Sequence, residues 1–139
     1  MNRNDLKNYK HTEEWIKGRI EYIEQYKSNI NRLNSILSDM PKGSKEVQDS
    51  EAEKIAELLD SVDELLEKVK EKNKQQMKIL QQLEKVGQPY RNILDKCYIQ
   101  NKNLVVVSAE MNYSYERMKH MHRIALIKFD EVEEREWKI

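Results

Sequence analysis

From Trp15 to Leu37 the apolar residues return at spacings of three and four, and from Ile55 to Val86 they return on a seven-residue period. Only an α-helix gathers residues so spaced onto one stripe. Between the two runs, Met40-Pro41-Lys42-Gly43-Ser44 supplies a break, because proline cannot continue the hydrogen-bond ladder and glycine readily ends a helix. Three glycines and two prolines in 139 residues leave little other turn material, so the pattern predicts an all-α chain. A hydrophobic content of 38% against 36% charged residues suits elongated helices with one apolar stripe each, not a thick globular core.

The first ten residues are polar and are expected to be loose. Thr12 is a candidate N-cap, followed by Glu13 and Glu14 where the helix dipole favours acids. A first helix is therefore expected over about 12–38, with Trp15, Ile16, Ile20, Ile23, Tyr26, Ile30, Leu33 and Leu37 as its stripe. Residues 45–49 read as loop, and Ser50 to Glu53 as a capping box opening a second helix. In that helix Ile55, Val62, Val69, Gln76 and Leu83 share one heptad position, and Leu58, Leu65, Lys72, Ile79 and Val86 the other. The stretch 70–76 is polar on every face, so the helix bends there or changes its packing partner. Together the two helices predict a long helical hairpin over residues 1–87. Its stripes must bury against each other, against the rest of the chain, or against a second copy in a homodimer.

Gly87-Gln88-Pro89 marks a boundary, and 88–139 reads as a second domain with an acidic tail in which Trp137 is a candidate anchor back onto the hairpin. Tyr90 to Ile99 is a support helix with Ile93, Leu94, Cys97 and Tyr98 inward, and 100–103 is a turn. Leu104 to Met111 is a second helix with Val107 and Met111 on its inner face. Asn112 occupies a sharp turn that calls for positive φ, and Ser114 caps a third helix whose buried stripe is Met118, Met121 and Ala125. This is a helix-turn-helix pattern, in which the second helix braces the third so that the third enters the major groove of double-stranded DNA. The residues left outward are Tyr115, Glu116, Arg117, Lys119, His120 and Arg123, which offer donors and one acceptor to base edges and phosphates. Lys96 and Lys102 are candidates for flanking phosphates. Net charge over the chain is zero, yet residues 90–129 hold seven basic and three acidic residues, so positive charge is concentrated where the motif lies.

The run from Leu104 through Ser108-Ala109-Glu110-Met111-Asn112-Tyr113-Ser114 to Ala125-Leu126 resembles region 4 of sigma-70-type factors, and Ile93-Leu94 with Tyr98-Ile99 is similar to that family's first helix. The likeness extends to small phage-encoded proteins of Gram-positive hosts, the late-gene activators of the RinA/ArpU type. It covers about 35–40 residues closely and the hairpin by architecture alone. It implies a sigma region 4-like three-helix domain, promoter DNA as ligand and host RNA polymerase as a further partner. Two positions depart from the family pattern: Ser108 stands where alanine is usual, and Val105-Val106-Val107 stands where acidic residues are usual. The second departure predicts an exposed apolar contact surface at Val105 or Val106.

Other classes find less support. His120 and His122 are two apart on a helix, about 200° around the axis, and cannot share an ion, so no metal is expected. No phosphate-binding glycine loop, nucleophile elbow or Cys/His pair at a recognisable spacing occurs, so neither an enzyme nor a cofactor is expected. The single Cys97 fits a reducing cytoplasm, and no apolar run approaches the roughly 18 residues a membrane span requires. The competing functions are a sigma-like module that binds protein, with polymerase as its target, and a small terminase-like subunit that binds DNA for packaging.

Overall fold

The computed structural model describes residues 1–39 and 45–137, and the side chains of all of these but 47 and 133–137. The described residues are helical throughout, joined by short turns and without a β-strand. The helices are α1 (Arg3–Lys7), α2 (Tyr9–Asp39), α3 (Lys45–Glu84), α4 (Tyr90–Leu94), α5 (Leu104–Glu110) and α6 (Tyr115–Trp137), with a π-helical turn over Asp95–Ile99 directly after α4. No helix among the described residues is long and apolar enough to cross a membrane. The break expected at 40–44 and the anchoring expected of Trp137 lie outside the described residues and side chains.

By contacts the chain divides into two compact units, one of residues 14–73 and one that joins 1–13 to 74–139. In the first, Ile16, Ile23 and Ile30 of α2 lie seven apart and are buried with Val62 and Val69 of α3, also seven apart. Trp15, Tyr26, Ile55, Leu58, Leu65 and Leu66 pack around them. A heptad on each helix is what presents such a seam continuously. An open groove of about 480 Å³ is lined by Tyr26, Leu33 and Ile36 of α2 and by Glu51, Leu58 and Ser61 of α3.

In the other unit the end of α3 supplies Ile79, Leu83 and Val86 to a cluster with Leu6, Leu94, Ala125, Leu126, Phe129 and Val132. The polar stretch 70–76 thus falls where α3 leaves one core and joins the next: Val69 belongs to the first cluster and Ile79 to the second. The helix itself is continuous through it. Gln76, half-buried at a heptad position of that stretch, donates from Nε2 to the Tyr9 carbonyl at 3.3 Å.

The expectation of a loose first segment is corrected. Asn2 caps α1 in a reciprocal capping box: its Oδ1 accepts from the Asn4 and Asp5 amides, and Asp5 Oδ2 accepts from the Asn2 amide at 2.9 Å. Leu6 is 0% exposed, and the Arg3 backbone amide and Nε both donate to Asp130, at 2.8 and 2.7 Å. The polar composition of this segment hid one apolar residue with a prepared place to go. Thr12 is accordingly inside a helix that already began at Tyr9, and Ser50 lies inside α3, because residues 45–49 contain no helix breaker.

Leu6→Ala is expected to lower the unfolding free energy by about 2–4 kcal/mol, as for other large-to-small changes at fully buried sites. Urea unfolding followed by circular dichroism measures it; a loss under about 0.5 kcal/mol would mean that α1 is not held as described.

Candidate nucleic-acid interface

Residues 90–121 build a third core, to which α4 contributes Ile93. Ile93, Val107, Met118 and Met121 are buried together, with Tyr90, Cys97, Leu104, Met111 and Tyr113 packed on them. Gln88 starts α4 by accepting from the Asn92 amide through Oε1 at 3.2 Å. Beyond Leu94 the helix widens: the Gln100 amide reaches the Asp95 carbonyl five residues back at 2.9 Å. Such a turn holds one extra residue. The chain then turns through Asn101, whose φ is 60°, and Asn103 caps α5 by accepting from the Val106 amide at 2.9 Å.

The passage from α5 to α6 is closed by local hydrogen bonds. Met111 ends α5 and Asn112 takes φ 61°. The Asn112 amide donates to the Ala109 carbonyl at 3.3 Å and the Tyr113 amide to the Ser108 carbonyl at 3.0 Å. That pair of bonds is the Schellman closure, which needs a left-handed residue at the position Asn112 fills. Ser114 then caps α6, its Oγ accepting from the Arg117 amide at 3.2 Å. Asn112 and Ser114 therefore act as the sequence predicts, and so does the stripe of Met118, Met121 and Ala125, all buried. Ser108 is buried too, with its hydroxyl satisfied by the Val105 carbonyl at 2.7 Å.

All six outward residues named from the sequence are exposed on α6. At about 100° per residue, Tyr115, Lys119, Arg123, Glu116 and His120 fall within one arc of about 140°, opposite the buried stripe. Arg117 lies to one side, its guanidinium 5.1 Å from the centre of the Tyr113 ring. Lys119 stands 5.0 Å above the Tyr115 ring and pairs with Glu116 at 3.0 Å. The two rings limit the freedom of the cations they face, so part of the ordering of these long side chains precedes any contact. Val105 and Val106, at 61% and 41% exposure, are both open on the surface of α5.

Lys96 and Lys102 come together elsewhere. Both reach Glu110 at the end of α5: Lys96 Nζ to Oε2 at 2.7 Å and Lys102 Nζ to Oε1 at 2.8 Å. Hydrogen bonds from Lys102 and Lys96 hold the Glu110 carboxyl below the usual range, so it is ionised. The two lysines are fixed beside each other by the Lys102 amide donating to the Lys96 carbonyl at 2.9 Å. Sequence reasoning missed this cluster because Glu110 is 14 and 8 residues from its partners, beyond any helical spacing. Tyr113 was missed as well, although its position four residues before Arg117 is a local signal.

His122 points inward, as its place between the two faces suggests. Tyr98 Oη and His122 Nε2 are 2.7 Å apart. Burial, reinforced by neighbouring Cys97 and opposed by Arg3, pushes the Tyr98 phenol up to about 12. Burial and then the charges of Lys7 and Arg3 hold the His122 imidazole below its usual range. Burial alone pushes the Cys97 thiol up to about 11, so at neutral pH it is not a thiolate. Among the described residues no group of three His, Cys, Asp or Glu is placed to hold a metal ion.

No family model, curated protein or solved structure matches this chain.

Two outcomes follow from this geometry. Asn112→Val places a β-branched residue at positive φ and should cost roughly 1–2 kcal/mol or more, whereas Asn112→Gly should be near neutral; thermal melts of both variants separate the two effects. A folded state that resists protonating His122 binds fewer protons than the unfolded chain below about pH 6.5. Stability should therefore be highest above that pH and fall as the pH drops below it. His122→Gln should flatten this slope between pH 6.5 and 5, read from urea midpoints at each pH.

Proposed function

We propose that the chain is a sequence-specific DNA-binding regulator of transcription. In this reading residues 1–87 form a helical hairpin for packing or dimerisation, residues 88–139 form a sigma region 4-like helix-turn-helix domain, and α6 is the recognition helix. The observation that carries the proposal is the joint between α5 and α6. A short helix, a left-handed turn and a capped long helix are locked together, with Tyr115, Glu116, Lys119, His120 and Arg123 on one exposed face and Arg117 beside it. A helix braced in this way can present its amino end to the major groove, where Arg and Lys read guanine, histidine and tyrosine meet phosphates or bases, and Glu accepts from cytosine. The sequence resemblance to phage late-gene activators would imply double-stranded promoter DNA as the ligand and host RNA polymerase as a further partner, in the cytoplasm of a bacterial host.

A second reading has one observation in its favour. Val105 and Val106 are exposed side by side, and an apolar pair on α5 suits a protein partner better than a phosphate backbone. That reading is a sigma-like module that binds polymerase through α5.

The deciding experiment presents the purified protein with pooled genomic fragments from its own source over a range of salt and sequences what is retained. Enrichment of one upstream region, weakening steeply with salt, is expected. Retention without preference by a ring-sized particle would point to DNA packaging instead, and no retention at low salt would leave the polymerase-binding reading. On the enriched site Arg117→Ala should cost about 1–3 kcal/mol, measured by fluorescence anisotropy.

A further inference from the structure

We infer that Glu110 is a specificity-determining residue: its carboxylate occupies Lys96 and Lys102 as an internal substitute for a DNA phosphate, and so keeps these two lysines from binding DNA of any sequence. The inference rests on the DNA-binding reading above. Three features carry it. Both carboxylate oxygens are used, one per lysine, at 2.7 and 2.8 Å, the lengths of charge-assisted hydrogen bonds of the kind a phosphodiester accepts through its two free oxygens. All three side chains keep about a quarter to a third of their surface open, at 26%, 32% and 33%, so an external anion can reach the ammonium groups. Glu110 is also the last residue of α5, where the helix dipole disfavours an acid. The lysines are what hold a carboxylate at that unfavourable end.

The consequence concerns the ratio of specific to non-specific binding. Lysine contacts with phosphates carry no sequence information and strengthen binding to every duplex alike. With Glu110 in place, two of the seven basic residues of 90–129 are withdrawn from that general attraction, and discrimination is left to the exposed face of α6. A phosphate can still displace the carboxylate, but only where α6 already fits its site and holds the backbone against the lysines.

Glu110→Gln keeps the shape of the side chain and removes its charge. Binding of the variant and of the wild type to the enriched site and to a scrambled duplex is measured by anisotropy from 50 to 200 mM salt. For the scrambled duplex the variant should bind about three- to tenfold more tightly at 50 mM, with a salt slope steeper by about one to two, as expected for one or two added phosphate contacts. Affinity for the enriched site should rise less, so the specificity ratio falls. Adding Lys102→Ala to the Glu110→Gln variant should lower its scrambled-duplex slope by about one, whereas Lys102→Ala alone should leave the wild-type slope unchanged. Equal or weaker binding of both duplexes by Glu110→Gln, with an unchanged slope and a lower melting temperature, would make the cluster a structural tie and overturn the inference while DNA binding stands. If neither protein binds any duplex, the DNA-binding reading itself falls and takes the inference with it.

Discussion

The arrangement depends on one buried amide. Gln82 sits within the apolar cluster of Leu6, Leu83 and Phe129, and a side-chain amide in such surroundings is costly unless its groups are bonded. Its Nε2 donates to the Met1 carbonyl at 2.7 Å and to the Phe129 carbonyl at 2.8 Å. Three segments far apart in sequence are therefore tied by one side chain: the amino-terminal segment, the end of α3 and the second half of α6. Hydrophobic contact alone would allow these helices to slide; two directed bonds fix their register. The Arg3–Asp130 pair repeats the tie at the next residue of α6.

α6 links this core to the next. Its first half gives Met118 and Met121 to the cluster with Ile93 and Val107, and its second half gives Ala125, Leu126 and Phe129 to the cluster with Leu6 and Leu83. A helix of 23 residues gripped at both halves cannot tilt independently of the body beneath it. The exposed arc from Tyr115 to Arg123 inherits that rigidity. For a surface that recognises a partner by hydrogen-bond geometry, this lowers the entropy lost on binding.

What could be read in the sequence, and what could not, separates by distance along the chain. The stripes Ile16-Ile23-Ile30 and Met118-Met121-Ala125 were legible because helix periodicity is local, and the turn at Asn112 and cap at Ser114 because their bonds close within five residues. The change of partner along α3 was legible as a polar stretch. Leu6 was not, since nothing near it announces a partner as distant in sequence as Leu126, and the Glu110 cluster exists only once α5 and the π-helical turn are side by side. The π-helical turn left no trace either. Ile93, Leu94, Cys97 and Tyr98 are spaced as in an ordinary helix, and only the fold shows the widened turn within which Tyr98 meets His122.

α5 is a short element that could not stand alone, and it is the one on which the joint turns. Seven residues are too few to hold a helix in water, and three consecutive valines lower its propensity further. It stands because both ends are pinned. A left-handed Asn101 and the Asn103 cap precede it, and the left-handed Asn112 with its two closing bonds follows. Asparagine at both left-handed positions has a consequence that glycine would not. It reaches positive φ at small cost, yet its side chain leaves the unfolded chain fewer conformations to lose. No described glycine of this chain adopts positive φ. The brace is thus assembled from short-range bonds and one buried valine, Val107, rather than from helix propensity. Val105 and Val106 are thereby free to face outward without being needed to hold the helix, and their exposure becomes a property of the surface instead of a defect of the core.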